Sequence, residues 1–258
     1  FRCSACSRSA AARRRSASRA ARSRTFASLQ APRRRRCRAA RWPNGHRCRR
    51  TWRKPRSASV RTDEPPDGWA AEWQRFYQQV FGITVDLSGV QIPDDPGGFG
   101  WVVFVVKELT YNRVYAMCRG LFASSSFYGD DLDSVINKEK EERTADKGPY
   151  AVRFRNSVES DEENINTSAN TLAERQTQNI TLLEAMLMEL WYFWRTGGSH
   201  LNFVRWVLCA GSRSLHGSIP CVDRDDDEFH VSSCCPSNAS DSLSSRSAVH
   251  LTLHTPAL

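Results

Sequence analysis

The first 62 residues contain no aspartate or glutamate, and no methionine occurs before Met117. Lysine is almost missing from the same stretch, where Lys54 stands among 20 arginines. Apolar residues are sparse there too: Phe1, Phe26, Leu29, Trp42, Trp52 and Val60 are too few to build a core, and like charges at this density repel. The whole chain has no apolar run near the ~20 residues of a membrane-spanning helix. Its N-terminus lacks the apolar region of a secretory signal. There is no internal repeat and no G-x-x-x-x-G-K-[ST] loop, so a spanning protein, a solenoid and a P-loop nucleotide-binding protein are all excluded as readings.

What is present falls into two unlike parts. Of the 37 basic residues in the 258-residue chain, 21 lie in the first 62, leaving 16 against all 28 acids in the remainder. The formal charge of +9 therefore averages a segment of +21 with one of −12. Net charge is then poor evidence for a nucleic-acid partner of the whole chain. Four readings compete for the basic segment. Its Arg, Ala, Ser, Pro and Cys bias is what GC-rich DNA yields when translated upstream of a true start. It also fits a disordered arm that neutralises phosphates, an organelle transit peptide, or a zinc site built from Cys3, Cys6, Cys37, His46 and Cys48. Artefact is favoured. A nucleic-acid partner is expected only if residues 1–62 are genuine.

Nine cysteines, an odd number without regular spacing, make a disulfide framework improbable and point to a reducing, cytoplasmic setting. The expected organisation is a disordered segment over residues 1–66, one globular domain over 67–235, and a poorly ordered Ser-rich tail over 236–258.

Within the domain, Trp69, Trp73, Phe76, Tyr77, Val80 and Phe81 recur at helical spacing and Gly82 closes the run. Trp101 to Val106 is a continuous apolar, β-branched run, read as a central strand buried on both faces. Thr110 caps a helix carrying Val114, Tyr115, Cys118 and Leu121. Asp130 to Arg143 reads as a loop with a short exposed helix. Tyr150 to Arg155 alternates as a half-wet strand, Ser168 caps a short helix, and Thr181 caps the longest apolar helix, Leu182 to Trp194. Val204 to Cys209 reads as an inner strand, Glu228 to Ser232 as an edge strand, and order is expected to fade from Ser237. The fold class is α+β: a single domain with a short mixed sheet packed against an amphipathic N-terminal helix and a buried apolar helix.

Several groups invite a chemical reading. Gly97, Gly98 and Gly100 precede a strand, so they form a turn and not a phosphate loop. Gly211, Ser212 and Arg213 follow an inner strand, where backbone N–H groups, a hydroxyl and a guanidinium suit a small anion. The acidic clusters Asp130, Asp131, Asp133 and Glu159, Asp161, Glu162, Glu163 would suit a hard cation in a phosphoester hydrolase, though acidic loops are usually solvated. Glu184 and Glu189 stand in an apolar helix but five positions apart, so they share no face; pairing with Arg153 or Arg155 is the plain explanation. His200, His216 and His230 with Cys209, Cys221, Cys234 and Cys235 match no tetrahedral spacing, so no metal or cofactor is assigned. The aromatic run Trp191 to Trp194 reads as core before base stacking.

The segments Trp73-x-x-Phe76-Tyr77-x-x-Val80-Phe81-Gly82, Asp86-Leu87-Ser88-Gly89, Ser168-Ala169-Asn170-x-Leu172, Ile180-Thr181-Leu182-Leu183-Glu184 and Leu208-Cys209-Ala210-Gly211-Ser212-Arg213 resemble a family of small uncharacterised proteins from candidate-phylum bacterial genomes. The likeness spans about Trp69 to Arg246 and leaves out residues 1–62. It implies a soluble bacterial protein and no activity, cofactor or catalytic residue. Ala210 stands where the family pattern has Ser. The leading expectation is noncatalytic binding of a protein or small anion at Gly211, Ser212 and Arg213. The metal-dependent hydrolase and the nucleic-acid arm are the alternatives, and no membrane partner is expected.

Overall fold

The computed structural model describes residues 64–146, 148–225 and 227–251. The basic segment, and the four readings attached to it, lie outside the described residues. Helix α1 (Gly68–Phe76) runs into a π-helical turn (Tyr77–Phe81) and stops at Gly82, whose φ of 67° is the left-handed conformation that glycine adopts without strain. Tyr77, Val80 and Phe81, at positions i, i+3 and i+4, are buried together on one face of this turn.

Strand β1 (Trp101–Val105) is wholly buried, but it is not the central strand of a large sheet. It pairs only with β3 (Tyr150–Phe154), antiparallel, in a two-stranded ribbon. Side chains replace a further strand at its edge. The Trp73 indole donates to the Val102 carbonyl at 2.7 Å and the Tyr77 hydroxyl donates to that of Phe104, so buried backbone acceptors are satisfied by α1 and its π-helical extension. The other edge of β3 is met at a single bridge, Arg153 with Val249.

Helix α2 (Tyr111–Leu121) starts at Thr110, whose side chain accepts from the Arg113 N–H. Strand β2 (Ser124–Ser126) follows, and α3 (Ala169–Glu174) is capped by Ser168. Helix α4 (Leu182–Thr196) opens with a capping box of Thr181 and Glu184 and ends at Gly197 in the left-handed region. The three helices start at the caps that the sequence places at Thr110, Ser168 and Thr181, because a cap is a local contact, whereas β2 has no counterpart in the sequence reading.

The second sheet runs β2-β6-β5-β4-β7, with β4 (Trp206–Leu208), β5 (Ile219–Asp225), β6 (Glu228–Cys234) and β7 (Leu243–Ser245). Its outer pairs β2/β6 and β4/β7 are parallel, and its inner pairs are antiparallel. Three sequence expectations are corrected here. Strand β6 is internal rather than an edge, since β2 pairs along it. Strand β5 has no counterpart in the sequence reading, because Pro220, Asp223 and Arg224 disguise a strand whose first six residues are all buried. Order does not fade at Ser237: β7 is buried throughout and Arg246 is 1% exposed. Thus the domain extends past residue 235 to at least residue 251.

The fold is α+β with a mixed sheet, as its composition of elements required. Its main core is aromatic, with Trp73 stacked on Trp191 at 6.1 Å and ringed by Phe76, Tyr77, Phe104 and Trp101. A smaller core of Ala169, Leu172, Leu208, Ile219, Cys221, Cys234 and Leu243 sits apart from it. Among the described residues no helix is long and apolar enough to cross a membrane.

Candidate functional site

The loop after β4 is committed to the protein itself. Gly211 N–H donates to the Ile180 carbonyl and Ser212 N–H to that of Cys209. Ser212 Oγ, fully buried, accepts from the Leu182 N–H at 2.8 Å and donates to Glu141 Oε2 at 3.0 Å. Arg213 spends its guanidinium on the Ala210 and Ser212 carbonyls, and burial lowers its pKa against the pull of Glu142 and Glu141. The expected anion site is therefore occupied: the carboxyl that this loop receives is the chain's own Glu141. Close approach is also why Gly211 is glycine, since a Cβ there would lie 2.6 Å from the Asn179 carbonyl oxygen. Gly211→Ala is expected to destabilise by about 1–3 kcal/mol through this clash, read as a lowered urea midpoint with an unchanged slope.

Around Glu141 the structure assembles groups that are remote in sequence. The Gly211 carbonyl accepts from Glu142 N–H and the Arg213 carbonyl from Asn137 N–H, which pins residues 137–142 onto the loop. Arg143, expected in an exposed element, is buried instead. Its guanidinium grips Glu184 bidentately, Nε to Oε1 at 2.8 Å and Nη2 to Oε2 at 2.9 Å, and also donates to Glu142 at 3.0 Å and to the Asn179 carbonyl. Glu184 further accepts from the Thr181 N–H and the Tyr150 hydroxyl. Burial alone would raise the Glu184 carboxyl, but the charge and hydrogen bonds of Arg143, with those of Thr181 and Tyr150, hold it below its ordinary value. Glu184 is thus an ionised, saturated acceptor.

Glu141 is the opposite case. Burial pushes its pKa up from 4.5 to about 8, and the Glu184 charge adds to the shift, against Tyr111, Ser212 and Arg143. The Tyr111 hydroxyl is among the groups that hold this carboxyl, and Oε1 is buried with no hydrogen bond of ordinary geometry. With Ser212 Oγ accepting from Leu182 N–H and donating to Oε2, a proton on Glu141 sits on Oε1. The result is a buried acid whose Oε1 has no hydrogen bond of ordinary geometry.

This acid lines a cleft of about 780 Å³ together with Lys138, Arg143, Tyr150, Gln176, Gln178 and His250. A hollow of about 90 Å³, bordered by Tyr111, Asp133 and Leu183, also touches Glu141. His250 packs edge-on to Tyr150 at 5.4 Å, and burial with the nearby Arg143 charge lowers its pKa. The cleft thus combines a neutral acid, a histidine held toward its neutral form and side-chain amides.

The remaining sequence candidates have structural employment. Asp133 accepts from the Tyr111 and Asn112 N–H groups at the start of α2, and Asp131 accepts from Asn112 and Ser134. Asp130 pairs with Arg119, Glu163 with Arg155, and Glu159 accepts from Phe203 and Val204 N–H. Asp161 is buried and accepts from the Ser247 N–H. Among the described residues no group of three or more His, Cys, Asp or Glu is placed to hold a metal ion. The partners of the buried glutamates also differ from expectation. Arg153 serves the Pro93 and Phe99 carbonyls, while Glu189 takes His200 at 2.6 Å and the Leu201 N–H. Gly97 and Gly98 form the expected turn, closed by Asp95.

Glu141, Arg143 and His250 carry no motif and no periodicity, and the alternation that places Tyr150 in a strand does not mark it for a site. Only the adjacency of two glutamates and an arginine before a strand hinted at a buried pair. Comparison with protein-family models, with curated proteins and with solved structures finds no match to this chain.

Proposed function

We propose that the chain is a noncatalytic binding domain for a small carboxylate or similar oxygen acceptor, held in the cleft beside Glu141. The observation that carries this reading is the buried Glu141, its pKa raised to about 8 and its Oε1 without a hydrogen bond of ordinary geometry, in a residue that lines a cleft. A buried donor left unpaired costs about 1–3 kcal/mol, and an entering oxygen acceptor removes that cost. Gln176 and Lys138 supply further donors at the same wall. The anion expected at Gly211, Ser212 and Arg213 is thereby moved to the neighbouring cleft, with that loop as its buttress. A cytoplasmic setting goes with this reading, supported by the thiols of Cys118, Cys209, Cys221 and Cys234.

The sign of the pH dependence follows from the pKa. Below about 8 Glu141 keeps its proton and donates; above it the carboxylate repels an anionic ligand. Calorimetric titration with succinate should show binding at pH 6 to 7 that weakens by up to about tenfold per unit above pH 8. Glu141→Gln, which keeps an N–H donor toward the cleft and an acceptor toward Ser212, should bind succinate with that pH dependence removed. Glu141→Leu should not bind. Equal affinity in the wild type and the Leu variant, or an affinity that rises with pH, would sink the reading.

A further inference from the structure

The small core holds two thiols in contact. Cys221 lies inside β5 and Cys234 ends β6, and the register pairs Cys221 with Ser232 and Ile219 with Cys234. The two cysteines are therefore diagonal neighbours on one face, the arrangement that lets side chains of adjacent strands meet. Their sulfurs are 3.4 Å apart, with the Cys221 thiol donating to Cys234 Sγ. We propose that Cys221 and Cys234 are a reversible dithiol site, oxidised by hydrogen peroxide or a similar peroxide to a disulfide that ties β5 to β6.

The two sulfurs have different roles. Cys221 is fully buried, whereas Cys234 is 8% exposed and is the one that a small oxidant reaches. The hydrogen bond from Cys221, with one from Asn238, lowers the Cys234 pKa against burial, while burial raises that of Cys221. Cys234 is accordingly the attacking sulfur. Its thiolate attacks one peroxide oxygen, the O–O bond breaks, and the leaving hydroxide takes up a proton to depart as water, leaving a sulfenic acid. Cys221 sulfur then attacks Cys234 sulfur, the S–OH bond breaks, and the expelled hydroxide takes the Cys221 proton as a second water. Two thiols lose two electrons and the peroxide gains them. Closing the bond shortens the sulfur separation to about 2.05 Å. Cys234, as the last residue of its strand, can move to allow this without breaking the register of β5 and β6.

Tryptic mapping reads this directly, because Cys221 falls in residues 214–224 and Cys234 in residues 225–246. Peroxide treatment of the native full chain should yield these two peptides linked, with the mass of two hydrogens lost, and reductant should separate them. Cys235→Ser should keep the link and Cys234→Ser should remove it. Cys221→Ser should instead leave a sulfenic acid on Cys234 that a cyclic diketone traps. A link that needs Cys235 or Cys209, or a Cys234 that goes to sulfinic acid with Cys221 intact, would overturn the proposal.

Discussion

Arg143→Leu is expected to destabilise the domain by about 3–5 kcal/mol, because it leaves Glu184 ionised and buried without its counter-charge. The loss is a large part of the 5–15 kcal/mol that typically separates folded from unfolded domains. Glu184 has no exposed surface and Arg143 is 4% exposed at its side chain, so solvent replaces the missing partner poorly. The Tyr150 hydroxyl and Thr181 N–H stay on Glu184, but they do not cancel its charge. A sign in pH follows. In the variant the Glu184 pKa rises, so protonation relieves the penalty and the deficit relative to the wild type should shrink as pH falls. Chemical denaturation at neutral pH and near pH 5 distinguishes this from simple loss of packing, which would leave the deficit unchanged. The double variant Arg143→Leu with Glu184→Leu should recover part of the loss, since an apolar pair of similar volume removes both desolvation penalties.

Trp73→Ala should have the largest effect of any single change. Truncating a buried Trp costs about 3–5 kcal/mol in cavity and transfer terms. Trp73 has no exposed surface and contacts Phe76, Tyr77, Phe104 and Trp191, so the loss also removes geometry worth about 0.5–1.5 kcal/mol per aromatic pair. The Val102 carbonyl would lose its indole donor on the edge of β1 where no strand pairs. Trp73→Phe separates the two contributions: it keeps a ring in the core and removes only the N–H. Urea midpoints should order wild type above Phe above Ala, with the Ala variant losing its near-ultraviolet dichroism. If Phe matched the wild type, the account of how β1 satisfies its edge would be wrong.

These two residues differ in how visible they were. Trp73 could be assigned to the core from spacing alone, because helical periodicity is a local property and its neighbours at Trp69, Phe76 and Tyr77 repeat it. Arg143 could not be, since a charged residue in an acidic, mixed stretch is ordinarily solvated. Its burial depends on Glu184, 41 positions away, and on Asn179. Likewise Ser212 is legible as a loop hydroxyl after a strand, but the sequence offers no sign that it would be shared between Leu182 and Glu141. Strand β5 was hidden because its polar residues, Asp223 and Arg224, are buried by tertiary partners that alternation does not reveal.

By itself the sequence determined the elements set by contacts a few residues long. The helix caps at Thr110, Ser168 and Thr181, the stops at Gly82 and Gly197, and the apolar runs of β1 and α4 all depend on neighbours close in the chain. It also determined the α+β class and the step from an acid-free segment to an acidic domain. The tertiary structure alone decided strand order, the burial of β7, the meeting of Cys221 with Cys234, and the chemistry of Glu141. The reason is electrostatic as well as geometric. Whether a glutamate is an ionised partner like Glu184 or a neutral donor like Glu141 depends on how far burial outweighs the charges and hydrogen bonds that distant parts of the chain bring to it.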